Sequence, residues 1–175
     1  DVEGTLLMGV PAQFWMPAEN VTRLAGIPGV ASVSSQVYLT TLIGASCCSV
    51  PNMFMVAYEP ETDFTVRPWL SQDLSAGLHL GEVIGGANIV ATEGDDNIRV
   101  YGYLTTLKAN LEPTGTGLDQ TIFFSMDTAI EIARTSETEA EKPLVIPVDQ
   151  VSAVLIKLEP GADSREVAVK IIQSI

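Results

Sequence analysis

Cys47 and Cys48 are neighbours, the one place where covalent chemistry is written into adjacent residues. Oxidation would close a strained eight-membered ring that ties no distant elements together, so a bridge there would be a redox pair and not a clamp on the fold. Reduced and buried, the same side chains behave as small hydrophobes, and the residue types allow either state. Glu93, Asp95, Asp96 and Asn97 set oxygen ligands around Gly94. Their spacing is not that of an EF-hand, and Asp, Asn and Gly together are what an ordinary tight turn requires. His79 is the only histidine and lies between Leu78 and Leu80, which excludes any site built on two imidazoles and favours a surface or structural role. Thr114, Gly115, Thr116 and Gly117 form a small glycine-rich loop, but the basic residue and helix opening of a phosphate cradle are missing. The loop is instead expected to be a mobile partner-contact segment. H-E-x-x-H, Walker and G-x-S-x-G motifs are absent, so no catalytic, cofactor-binding or metal-ligating set is assigned and no enzyme is expected.

The chain has 175 residues, enough for one domain or two small lobes. Apolar residues make up 46% and charged residues 18%, with a mean hydropathy of +0.27, so solubility must come from the acidic excess. With 22 Asp+Glu against 9 Lys+Arg the formal charge is −13, which repels phosphates and excludes nucleic acid as an expected partner. No charged residue occurs between Arg23 and Glu59. Pro28, Pro51 and many Ser and Thr interrupt that run, and residues 37–50 fall short of the roughly 20 apolar residues of a membrane helix. Neither a basic n-region nor an Ala-x-Ala site opens the sequence, so no signal peptide is expected.

These residues must be positioned by elements legible in the pattern. Residues 19–25 read as a short helix stopped by Ile27-Pro28-Gly29. β-Branched and aromatic residues over 30–43 and 53–58 predict two long strands, and 59–63 is a charged, proline-containing break. Pro68 predicts a helix to about residue 76. Residues 87–91 and 98–104 read as a hairpin about a polar turn at 92–97. Residues 111–120 read as a loop and 121–124 as a strand. Ser125 is a helix cap for residues up to 134, with Ile130 and Ala133 on one face, and 135–142 is a solvated stretch. Residues 151–158 form a strand, and Asp163-x-x-Glu166 caps a helix carrying Val167, Ile171 and Ile175. A strand, turn and helix with no following strand gives the end of the chain a truncated look. The beginning and end of the chain together could close one α/β lobe, with a β-rich lobe inserted between them.

As a set, several segments resemble the extracytoplasmic domains of MacB/FtsX-type ABC transporter permeases. They are Ile27-Pro28-Gly29-Val30-Ala31-Ser32-Val33-Ser34, Gly81-Glu82-Val83-Ile84-Gly85-Gly86, Val100-Tyr101-Gly102-Tyr103-Leu104, residues 119–129 and residues 154–163. The resemblance implies an α+β, two-lobed fold. Residues 1–60 and 147–175 would form a βαβ-based porter-like lobe, and 61–146 an inserted β-rich sabre-like lobe. It further implies a domain outside the cell membrane of a prokaryote, with no catalytic residues, no bound ATP and no cofactor. The partners implied are a second permease copy, a cytoplasmic ATPase and an extracytoplasmic partner or cargo. Two departures are the missing initial strand before Thr5 and the Cys47-Cys48 pair, which is not a general feature of that family. A reading of another class is a secreted protein that binds a peptide or lipid at the apolar residues 37–58, and a third is a cysteine-dependent enzyme using Cys47 or Cys48.

Overall fold

The computed structural model describes residues 14–40, 53–70, 74, 77–91, 94 and 96–175. The strands are β1 (Met16–Pro17), β2 (Val30–Thr40), β3 (Phe54–Tyr58), β4 (Glu82–Gly85), β5 (Asn97–Val100), β6 (Tyr103–Asn110), β7 (Thr121–Ser125), β8 (Gln150–Val151) and β9 (Ala153–Leu158). The helices are α1 (Glu19–Ala25), α2 (Met126–Glu139) and α3 (Ser164–Ser174), with single 3₁₀ turns at Arg67–Trp69 and Gly117–Gln120. Among the described residues a seven-stranded mixed sheet runs in the order β5-β6-β4-β7-β3-β2-β9, and β1 pairs with β8 beside it. The fold is α+β, as expected. The sheet passes unbroken across the boundary expected between residues 60 and 61.

β2 holds this sheet together by changing partners along its length. Its first half pairs antiparallel with β9, ending at Gln36 opposite Ala153, and its second half pairs antiparallel with β3, beginning at Gln36 opposite Tyr58. β3 then pairs in parallel with β7, and the buried run Met55 to Tyr58 lies against Ile122 to Phe124. Strands buried on both faces need no polar alternation, which explains their continuous apolar sequence. One face packs Val37, Leu39, Met55, Ala57, Ile122 and Phe124 against Ala129 and Ile132 of α2. The other gathers Tyr38, Val56, Tyr58 and Phe123 over Val66 and Leu111. There the Tyr58 and Phe123 rings meet edge to face with centroids 6.4 Å apart, a geometry worth about 1 kcal/mol beyond area burial. Burial pushes the Tyr38 phenol up to about 12, so it stays neutral.

A third, separate apolar cluster of Leu24, Ile27, Val30 and Val167 joins α1, β2 and α3 at the other end of β2. α1 ends at Gly26, and Gly29 then turns the chain at φ 99°. A Cβ on Gly29 would lie 2.8 Å from Val167 Cγ2, so the close approach of this turn to α3 requires glycine. α3 starts where the Asp163 carboxylate accepts from the N–H groups of Arg165 and Glu166. Val167 is buried and Ile171 packs beside it, whereas Ile175 is exposed.

Four local expectations are corrected. Residues 87–91 do not form a strand, because Ile89 N–H donates back to Gly86 O in a turn. The hairpin is instead β5–β6, closed by Tyr101-Gly102 with φ 49° and 85°, the two positive values that suit the sheet's twist. Tyrosine is rare at such a position, so the turn was hidden inside the apparent strand 98–104. The helix expected from Pro68 is a single 3₁₀ turn that stops when Leu70 becomes extended and bridges Leu111; residues 71–73, 75 and 76 lie outside the described set. α2 continues to Glu139 because Ser136 is buried, donating to Ala133 O and accepting from Leu144 N–H. Its core face is Thr128, Ala129, Ile132 and Ser136, while Ile130 is half exposed.

A Cβ on Gly102 would lie 2.3 Å from Cβ of Glu139, in a turn whose φ already disfavours side chains. Gly102→Ala is therefore expected to lower stability by about 2 kcal/mol in urea titration. A variant within a few tenths of wild type would show that the turn and the end of α2 do not meet.

Candidate partner interface

Residues 111–120 link β6 to β7 and are organised by one carboxylate. Asp119 Oδ1 accepts from Thr114 N–H and Thr114 Oγ1, both at 2.8 Å, and Oδ2 accepts from Gly115 N–H at 2.9 Å. Thr116 Oγ1 in turn accepts from Leu118 N–H and caps the Gly117–Gln120 turn, and Thr121 Oγ1 donates to Gly117 O. The donors left by a tight glycine turn are thus used internally. The expected mobile loop is a hydrogen-bonded knot, with Glu112, Pro113, Gly115 and Gln120 presented to solvent.

The knot sits on a platform made by Gly85-Gly86. Gly86 N–H donates to Thr121 O at 2.7 Å and Asn88 N–H donates to Asp119 O at 2.8 Å. Asn110 at the end of β6 donates from Nδ2 to Gly86 O and Ile89 O, fixing the turn after β4. A Cβ on Gly86 would lie 2.0 Å from Leu118 O, so the loop backbone rests where a side chain would be. The N–H groups of Thr114 and Gly115, with the Thr114 hydroxyl, hold the Asp119 carboxyl below the usual carboxylate range; burial opposes them and is outweighed. Exposed Trp69 flanks the loop through its carbonyl, which accepts from Glu112 N–H.

Among the residues singled out from sequence, Thr114, Gly115, Thr116 and Gly117 lie together in one cap at the end of the sheet, Gly115 exposed and the other three half-buried. Cys47 and Cys48 lie outside the described residues. Thr40 and Phe54, on either side of that segment, are at the same end of the sheet, since Thr40 pairs with Phe54 and Phe54 with Thr121. His79 is exposed, and its N–H donates to Glu82 Oε2, whose other oxygen pairs with Lys108 at 3.0 Å. His79 N–H and Lys108 together hold the Glu82 carboxyl below its ordinary range. Glu93 and Asp95 lie outside the described residues, and Asn97 donates to Gly94 O as a turn residue does. Among the described residues no three His, Cys, Asp or Glu side chains converge on a metal position. Asp119 and Gly86 were not singled out as site residues. Asp119 reaches backward to residues four and five before it, whereas the familiar Asp turn signal bonds forward to residues two ahead, so composition offered no cue.

No family model and no curated protein matches the sequence. The structure, however, superposes on the periplasmic region of MacB from Actinobacillus actinomycetemcomitans with a TM-score of 0.60 over 93% of this chain and 73% of that one, at 10% identity. The chain has the MacB periplasmic fold. The extracellular domain of YknZ, a noncanonic ABC-type transporter from Gram-positive bacteria, matches with a TM-score of 0.53 over 89% of this chain and 78% of that one, at 11% identity. These two solved structures are thus a periplasmic region and an extracellular domain. Among the described residues no helix is long and apolar enough to cross a membrane.

Two substitutions test the platform and the knot. Gly86→Ala should displace residues 118–119, lowering the melting temperature and abolishing the amide protection of Asn88 and Gly86 in hydrogen exchange; unchanged protection would refute the contact. Asp119→Asn keeps the shape and removes the charge. A carboxyl whose folded pKa is depressed adds stability that is fully present above its unfolded pKa, about 3.9, and is lost as pH falls through the folded value. The melting-temperature gap between wild type and D119N should therefore be open at pH 7 and close below about pH 4. A gap independent of pH would show that the carboxylate charge is not what holds the loop.

Proposed function

We propose that this chain is the extracytoplasmic domain of an ABC transporter permease that couples cytoplasmic ATP hydrolysis to conformational work outside a prokaryotic cell membrane. The supporting observation is the fold shared with the MacB periplasmic region over nearly the whole chain. In this reading residues 1–60 and 147–175 form the porter-like lobe and 61–146 the inserted lobe. The domain works beside a second permease copy, with a cytoplasmic ATPase contacted through other parts of the parent protein. It carries out no catalysis of its own. Thr114, Gly115, Thr116 and Gly117 contribute to contact with an extracytoplasmic partner or cargo, a half-exposed shape hydrogen-bonded to Asp119 and flanked by exposed Trp69. A preorganised loop loses little conformational entropy on binding, which suits recognition.

The apolar run 37–58, the basis of the binding-protein reading, is accounted for in its described part by the core. Val37, Leu39, Met53, Met55, Val56 and Ala57 are all buried. The described residues of that run thus leave little apolar surface for a peptide or lipid.

Purification of the tagged parent protein separates the two readings. The proposal expects it in the membrane fraction with an ATPase subunit, and expects ATP turnover of that complex to respond to substitutions in residues 114–117. Recovery of the parent as a soluble secreted protein without an ATPase would overturn it.

A further inference from the structure

The chain crosses from the β2–β9 end of the molecule to the five strands beyond it in β2 and returns through residues 149–152, and the turn at residues 59–67, which follows β3, lies beside the crossing; these are three segments in all. All three meet at Gln36. Its backbone pairs with Tyr58 on one side and Ala153 on the other, and its carbonyl accepts from Ser152 N–H at 2.9 Å. Ser152 Oγ then accepts from Tyr38 N–H at 2.9 Å, tying the returning pass to β2 a second time. In the turn after β3, Thr65 Oγ1 accepts from Gln36 Nε2 and donates to Asp63 Oδ1 at 2.8 Å. Asp63 also accepts from the N–H groups of Val66 and Arg67, so the chain Gln36–Thr65–Asp63 fixes the whole turn against β2.

The placement of these groups is unlike the rest of the interior. Apolar clusters lie on either side, one around Leu24, Ile27, Val30 and Val167 and the others under the six-stranded part. Between them Ser34, Gln36 and Ser152 are buried with at most 2% of their surface exposed. Gln36 Oε1 is buried and receives no hydrogen bond from the described residues, so the side chain carries a desolvation cost that an apolar residue of the same shape would not. Stability alone does not explain a glutamine here.

We propose that Gln36 is the clamp that makes the two ends of the molecule move as one body, so that displacement at α3 is delivered to the cap at residues 111–120. Directional hydrogen bonds from the crossing strand to the turn that follows β3 and to the returning pass resist sliding and twisting, which apolar contacts alone permit more readily. The clamp is a property of the isolated chain. Its mechanical use rests on the transporter reading, but its test does not.

The test is a double electron–electron resonance measurement on the full chain, with Cys47 and Cys48 replaced by serine and spin labels on the exposed residues Gln173 of α3 and Glu112 of the cap. Wild type should give a single narrow distance distribution. Gln36→Met keeps the volume and removes both the Thr65 bond and the unsatisfied oxygen. It should leave the melting temperature equal or higher and broaden the distribution about twofold. A broad wild-type distribution, or a Q36M distribution as narrow as wild type, overturns the clamp. If Q36M fails to fold, Thr65→Val breaks the same bond from the other side and is read by the same criterion. Because neither outcome involves membranes, ATPase or cargo, failure here leaves the transporter reading to its own test.

Discussion

The structure depends on one strand serving two sets of partners. β2 is eleven residues long, twice the usual strand, and its backbone groups are satisfied by β9 over one half and by β3 over the other. Every other strand of the sheet reaches the β9 end only through it. Where both faces of β2 are buried, over residues 36–39, the strand cannot tolerate charge, and a proline in its interior would leave a ladder group unpaired. This constraint accounts for part of the long uncharged run between Arg23 and Glu59, which composition alone shows only as unusual apolarity for an acidic chain.

Parallel pairing of β3 with β7 is the second consequence. Parallel neighbours must be joined by a long connection, here residues 59–120, and that excursion contains the turn capped by Asp63, the β5–β6 hairpin and the Asp119 loop. The excursion returns to the sheet at Thr121, beside the start of β3. The exposed cap at residues 111–120 is therefore held by the same hydrogen-bond ladder that forms the core, and its geometry is inherited from the sheet. At the far end, α1 and α3 close over their own small apolar cluster. Structural likeness to the MacB and YknZ domains at about one residue in ten identical shows how far such an arrangement can hold while the side chains change.

Much of this was legible from residue types. α1, β2, β3, β7 and the Ser125 cap lie where periodicity, proline and capping residues put them, and the family resemblance agrees with the fold found. What escaped had specific causes. The Tyr101-Gly102 turn uses a residue that seldom takes positive φ, and the buried face of α2 relies on Thr128 and Ser136, polar residues satisfied by local bonds. The Asp119 knot bonds backward along the chain, and Gly86 matters for what its absent Cβ makes room for, which only the packed structure reveals. Pairing of β2 with two partners at Gln36 is a long-range property that no local pattern encodes.

The central claim, that a single strand joins both parts of a MacB-type fold at Gln36, is tested most directly by cross-strand nuclear Overhauser contacts in the labelled chain. Backbone protons of Gln36 should show contacts to both Tyr58 and Ala153, with the flanking pairs Tyr38 to Val56 and Ser34 to Leu155 in the same registers. Contacts from Gln36 to one strand only, with β3 and β9 each paired to a different segment, would contradict the account.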